Sequence, residues 1–139
     1  MAQDNTGMFA SLGLLAMRVI AGGLLLYGHG WPKLMHFTER AAHFADPLGI
    51  GSVRSLALAV FAEVLCAACV VLGFATRFAA IPILILLAVA AFLVNGGQPF
   101  GEKELALVYS APFLALVFTG GGRYSLDARF APRLTFGGK

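Results

Sequence analysis

Charge is what this chain has least of. Asp, Glu, Lys and Arg make up 12% of its 139 residues, against 59% apolar residues and a mean hydropathy of +0.83. A soluble domain is about a quarter charged, and a soluble fold this short has no interior large enough for so much apolar surface. The composition excludes a soluble globular domain and makes the chain an integral membrane protein, with a length suited to a single domain over residues 1–139. Cysteine is almost as scarce. Cys66 and Cys69 form a lone C-x-x-C inside an apolar run, without the second pair a zinc site needs. Buried thiols there pack as small hydrophobes. The ten basic residues stand singly between apolar segments, so the net charge of +3 and pI of 9.2 do not mark a nucleic-acid binder. No Lys or Arg precedes the first apolar run, and Arg18 interrupts it. A retained span is therefore expected there rather than a cleaved signal peptide. The chain also lacks a Gly-rich phosphate loop, a nucleophile elbow and a haem or iron–sulfur ligand set.

What is present is apolar segments. Four run from about Met8 to Trp31, Leu56 to Phe74, Phe78 to Val94 and Leu105 to Thr119, the last two at the short end of the roughly 17–25 residues that spanning requires. They predict an all-α fold, a bundle of four transmembrane helices with a polar tail over 120–139. Pro32, after Gly28 and Gly30, is expected to end or kink the first helix. Residues 33–52 then form a long loop in which Leu34, Phe37 and Phe44 sit among charges, the pattern of a short amphipathic segment at the interface. Ser125 is placed to cap a last short turn. One side of the membrane receives the N-terminus, Arg77, Arg123, Arg129, Arg133 and Lys139, and the other Lys33, Arg40, Arg54 and Lys103. This bias puts both termini in the cytoplasm.

The candidate chemistry begins with Arg18. On a helix, Arg18, Gly22, Leu25, His29 and Lys33 step by four, three, four and four and share one face. An arginine between Leu14, Leu15, Val19 and Ile20 must turn inward and find a partner. Glu63, in LALAVFAEVLCAACVV, is the second intramembrane charge. Such a carboxylate either takes up a proton or pairs with a cation. With antiparallel spans, Arg18 is about ten residues from its own end and Glu63 about eleven, so both are expected near mid-membrane and in contact. That contact is either a register lock or the floor of a polar pocket. His29, Lys33, Glu104, Asn95 and Gln98 lie toward the outer side and, with Tyr27 and Tyr109, would line a funnel to the pair. His, Tyr, Lys and Trp31 are equally ordinary interfacial anchors. His36, Glu39 and His43 share a face if the loop is helical. A solvated face is the expectation there, rather than a metal site.

Taken together, these motifs resemble the DoxX family of small bacterial inner-membrane proteins. The resemblance rests on Arg18 in LLAMRVIAGGLLLYGHGWPK with its HG-x-x-K ending (His29, Gly30, Lys33), the AE-x-L around Glu63, LGFATRFAA over 72–80, Glu104 opening the fourth segment, and GGGRYSLD. It covers most of residues 9–127. It implies a four-helix bundle of the inner membrane with both termini cytoplasmic, and links to quinone-coupled oxidases and to oxidative-stress and thiol-redox complexes.

Two functions follow as expectations. In the first, the chain is an accessory of a membrane redox system that binds a quinone-like molecule or a lipid. Arg18, His29, Lys33, Glu63 and Glu104 would line the pocket, with Tyr27, Tyr109 and Asn95 at its mouth. It would hold no intrinsic cofactor, so electrons would come from membrane or peripheral redox partners. In the second, it is a scaffold whose buried charges only fix register and whose small residues Gly22, Gly23, Ala67 and Ala68 admit close helix contacts with a partner or a second copy. Small-solute transport is a third and weaker reading.

Overall fold

The computed structural model describes residues 2–130, so Arg133 and Lys139, counted above in the charge bias, lie outside the described residues. Every regular element is helical, with no strand among the described residues. Helix α1 is α-helical over Ala2–Leu25, widens into a π-helical turn at Leu26–Gly30 and continues as α-helix over Trp31–Met35. A short α2 follows at Phe37–Ala41. Helix α3 repeats the pattern of α1: Ser52–Val60, a π-helical Phe61–Cys66, then Ala67–Leu72. Helix α4 is Thr76–Val89 with a π-helical end at Ala90–Val94, α5 is Phe100–Thr119, and α6 is a single turn at Leu126–Phe130.

Three helices, Asn5–Met35, Ser52–Leu72 and Thr76–Val94, are long and apolar enough to cross a membrane. Helix α5 is as long, but Glu102, Lys103 and Glu104 stand near its start, so its apolar part begins only at Leu105. The all-α expectation is met, and three of the four expected spans are matched by membrane-length apolar helices.

Pro32 does not end α1. A proline inside a helix lacks the N–H and clashes with the carbonyl four residues back. The widened turn just before it, in which Trp31 N–H bonds Leu26 O, absorbs that defect and lets the helix run on to Met35. Lys33 therefore stands on a helix rather than in the loop, and the segment expected to be amphipathic shrinks to α2.

Helices α1 and α3 pack antiparallel and very closely. A Cβ on Gly22 would lie 2.8 Å from Val71 Cγ2, and one on Gly30 would lie 2.5 Å from the Glu63 carbonyl oxygen. Small residues allow this approach where burial of apolar surface from water gives no drive. Helix α5 packs along α4 and also touches α1. Leu25, Val70, Ile83, Phe113 and Leu116 fill the centre, while Phe78, Ile85, Phe92 and Phe118 point outward and are exposed. Large outward apolar side chains are what a lipid-facing surface requires.

Candidate functional site

The two intramembrane charges do not meet. Arg18 is fully buried, yet it reaches neither Glu63 nor Glu104. Its Nη1 donates to the carbonyls of Val71 at 3.1 Å and Val70 at 3.4 Å, and its Nη2 donates to the carbonyl of Tyr124 at 2.8 Å. The reason is register. Gly30, not Arg18, is level with Glu63; it lies twelve residues farther along α1, or about 18 Å at about 1.5 Å per residue. No arginine side chain spans that gap.

The partner Arg18 finds is the C-terminus of α3. Gly73, at φ 76°, ends that helix in the left-handed conformation, with Gly73 N–H on Val70 O at 3.1 Å and Phe74 N–H on Cys69 O at 2.8 Å. This closes some of the last carbonyls and leaves Val71 O for the guanidinium. A cation at that end also meets the negative pole of the helix dipole. The tail completes the arrangement. Asp127 accepts from Ala75 N–H at 2.6 Å and Thr76 N–H at 2.9 Å, capping the start of α4, and its own N–H donates to Gly73 O at 2.9 Å. The Asp127 carboxylate also attracts the Arg18 guanidinium electrostatically. Ser125 caps α6 as the sequence predicts, accepting from Ala128 N–H at 3.2 Å. Gly73 is obligatory here, because a Cβ would lie 2.4 Å from Arg18 Nη1 and 2.5 Å from Ser125 Cβ.

Glu63 answers to Lys33 instead. The Lys33 ammonium donates to Glu63 Oε2 at 2.5 Å, with the two side chains 17% and 7% exposed, so the pair is almost out of solvent. Lys33 Nζ lies 6.0 Å from the centre of the Phe44 ring, so the loop after α2 roofs the pair with an aromatic face. Glu63 sits inside the π-helical turn of α3, and His29 and Gly30 lie in that of α1. Such turns re-aim side chains and concentrate at functional sites. The His29 ring meets Tyr109 of α5 edge-on, with ring centres 5.6 Å apart. Four of the predicted ligand residues thus meet in two pairs, Lys33 with Glu63 of α3 and His29 with Tyr109 of α5, whose α1 members stand four residues apart.

The remainder disperse. Tyr27 is 79% exposed and Glu104 is exposed near the start of α5. Asn95 closes the α4–α5 connection by donating to Glu102 O at 3.4 Å, and Gln98 is exposed. His36 Nδ1 lies 3.4 Å from Glu39 on the exposed α2, and no three His, Cys, Asp or Glu side chains gather among the described residues. Cys66 is buried in the core and Cys69 half-buried beside it, both as free thiols.

The sequence reading places Phe44 only in an amphipathic segment and Asp127 only at the end of GGGRYSLD, without a role for either, and does not single out Asp46. Asp46 organises the entry to α3, accepting from Gly51 N–H at 2.8 Å, Ser55 Oγ at 2.9 Å and Ile50 N–H at 3.0 Å. These bonds, that from Gly51 foremost, hold its carboxyl below the ordinary value. An aspartate a few residues before a glycine and a helix start is the signal that would have found it.

A family model described as DoxX matches residues 13–96, more than half of the chain. The match spans Arg18, His29, Lys33, Glu63 and Gly73 and stops before Glu104 and the tail. No curated protein and no solved structure matches.

Proposed function

The chain belongs to the DoxX family, and on that premise we propose that it is a four-pass protein of the bacterial inner membrane, with both termini cytoplasmic, that binds a quinone-like molecule beside Lys33 and Glu63 as an accessory of a membrane redox or oxidative-stress system. The fourth crossing is favoured by α5 running along α4 and by the tail after α5 docking on the α3–α4 turn. A helix that returns the chain to that end would cross the same thickness as α4. The charged turn Glu102–Glu104 then stands at the opposite interface.

The observation that carries the binding reading is the Lys33–Glu63 pair itself. Two charges held almost out of solvent, one inside a π-helical turn and the other just past a second one that carries the His29 imidazole, are costly to keep and mark function more often than structure in a membrane. An apolar slot with a few polar groups is what a quinone ring and its carbonyls require. Lys33 would donate to one carbonyl, and Glu63 or His29 would exchange protons with it. The electrons would come from a partner or a diffusible donor, since these side chains carry none. Arg18 has no part in this site, because its Nη1 and Nη2 donate to carbonyls at the other end of α3 and in the tail.

Trp31 gives the test. It is the one tryptophan in the chain and stands two residues from Lys33. Titrating the purified protein in detergent with a short-chain ubiquinone should quench Trp31 fluorescence saturably in the native chain. Glu63→Gln and Lys33→Met should make the quenching linear, as for tryptophan free in the micelle. Unaltered saturation in both variants would sink the site. The scaffold reading draws on one observation, the wholly structural use of Arg18, and is what remains if quenching never saturates.

A further inference from the structure

We infer that the tail end of the bundle is a binding site for anionic phospholipid headgroups, built from Arg77, Arg123 and Arg129. The inference uses only the membrane setting and is independent of the Lys33–Glu63 reading. The three arginines come from different segments, the first turn of α4, the turn after α5, and α6, and all are exposed. The tail lock assembles them. Asp127, two residues before Arg129, bonds Ala75 and Thr76 N–H immediately before Arg77. The Arg77 guanidinium lies over Gly120, where a Cβ would be 3.1 Å from its Nε, three residues before Arg123.

Among the described residues no ion pair neutralises this cluster. The carboxylate at hand, Asp127, has both oxygens on backbone N–H groups. The surroundings select the ligand. Phe78, Tyr124 and Phe130 adjoin the arginines in sequence and are 78%, 42% and 72% exposed. Exposed aromatics beside guanidiniums are the side chains of a membrane interface. A planar fork of donors suits a phosphodiester, and the aromatic collar suits the acyl chains below it. A soluble phosphate would use only the first, and an acidic protein surface would not use the second.

The experiment is a lipid titration of the full chain in detergent, read by native mass spectrometry with phosphatidylglycerol and phosphatidylcholine of identical chains. Phosphatidylglycerol adducts should form at far lower lipid concentration. Each basic residue near an anionic surface strengthens binding by about fivefold, so the R77Q/R123Q/R129Q variant should lose about a hundredfold and the R77K/R123K/R129K variant much less. R40Q/R54Q, changing exposed arginines at the other end, should bind phosphatidylglycerol like the native chain. Millimolar inorganic phosphate should not displace the lipid. Equal binding of the two lipids, an unaffected triple Gln variant, or displacement by inorganic phosphate would each overturn the inference.

Discussion

At the tail end of the bundle a guanidinium is held by main-chain carbonyls of two other segments, whereas at the loop end an ammonium is held by one carboxylate on one neighbouring helix. The first cation closes the end of α3 and fastens the tail, and no side-chain substitution can replace its partners. The second belongs to a pair of interchangeable side chains, and the fold around it is loosened by π-helical turns on both helices. A charge answered by backbone is committed to architecture. One answered by a side chain can be reversed, removed in pairs or shared with a ligand.

The sharpest way to break this contrast is at Gly73. Gly73→Val forces a branched side chain into φ 76° and drives its Cβ into Arg18 Nη1 and Ser125. Left-handed strain of about 1–2 kcal/mol adds to a displaced buried cation, a loss of about 3–5 kcal/mol. The expected result is a protein that does not survive extraction into mild detergent. Arg18→Leu should cost nearly as much in SDS unfolding of the purified protein. Arg18→Lys should recover little of it, because a point donor cannot reach Val71 O and Tyr124 O together as the guanidinium fork does. Native-like unfolding of Arg18→Leu would erase the distinction between the ends.

At the loop end the prediction is reciprocal. Lys33→Met or Glu63→Gln alone should destabilise by about 2–3 kcal/mol, at or below the usual range for breaking a buried pair because a little solvent reaches Lys33. The reversed pair K33E/E63K and the apolar pair K33M/E63M should each restore most of that stability in the same SDS titration, while K33M/E63M binds no quinone. Additive losses in the double variants would mean the two side chains are not coupled.

The contrast also accounts for what could be read from the sequence. The helices, their apolar faces and the inward turn of Arg18 follow from periodicity and from the cost of charge in lipid, and these appear in the structure. The pairing did not follow. Apolar boundaries misplace the depth, because α1 runs through Pro32 to Met35 and α3 begins at Ser52, so Glu63 drops to the level of Gly30 and Lys33 rises beside it. Charges in a sequence suggest charges as partners. Backbone carbonyls carry no letter of their own, and the one sign of this partner was Gly73, a helix-ending glycine. The role of Asp127 was hidden for a related reason: it acts on N–H groups of residues 52 and 51 positions away, which no local pattern records.

Asp127 itself gives a finer test of the tail end. Asp127→Asn keeps an acceptor for Ala75 or Thr76 N–H but removes the negative charge from the start of α4 and from the neighbourhood of Arg18. A cap and a dipole term lost together amount to about 1 kcal/mol. That is less than for Arg18→Leu, and it should appear as a modest shift of the same unfolding midpoint.

The smallest effect belongs to Asp46 at the loop end, where pH can stand in for mutation. Its carboxyl is held below the ordinary value by bonds to Gly51, Ser55 and Ile50. A carboxyl with a depressed folded pKa contributes stability that is fully present above its unfolded value, about pH 4. That contribution fades as the pH falls through the lower folded value. Native protein in detergent should therefore lose a small increment of stability below about pH 4, and Asp46→Asn should show no such step from this position. The same acid step should persist in Asp127→Asn, since the two aspartates serve opposite ends of α3 and share no partner. If the step vanished with Asp127 instead, the acid sensitivity would belong to the tail lock, and the loop end would hold its entry to α3 by the Gly51 backbone alone.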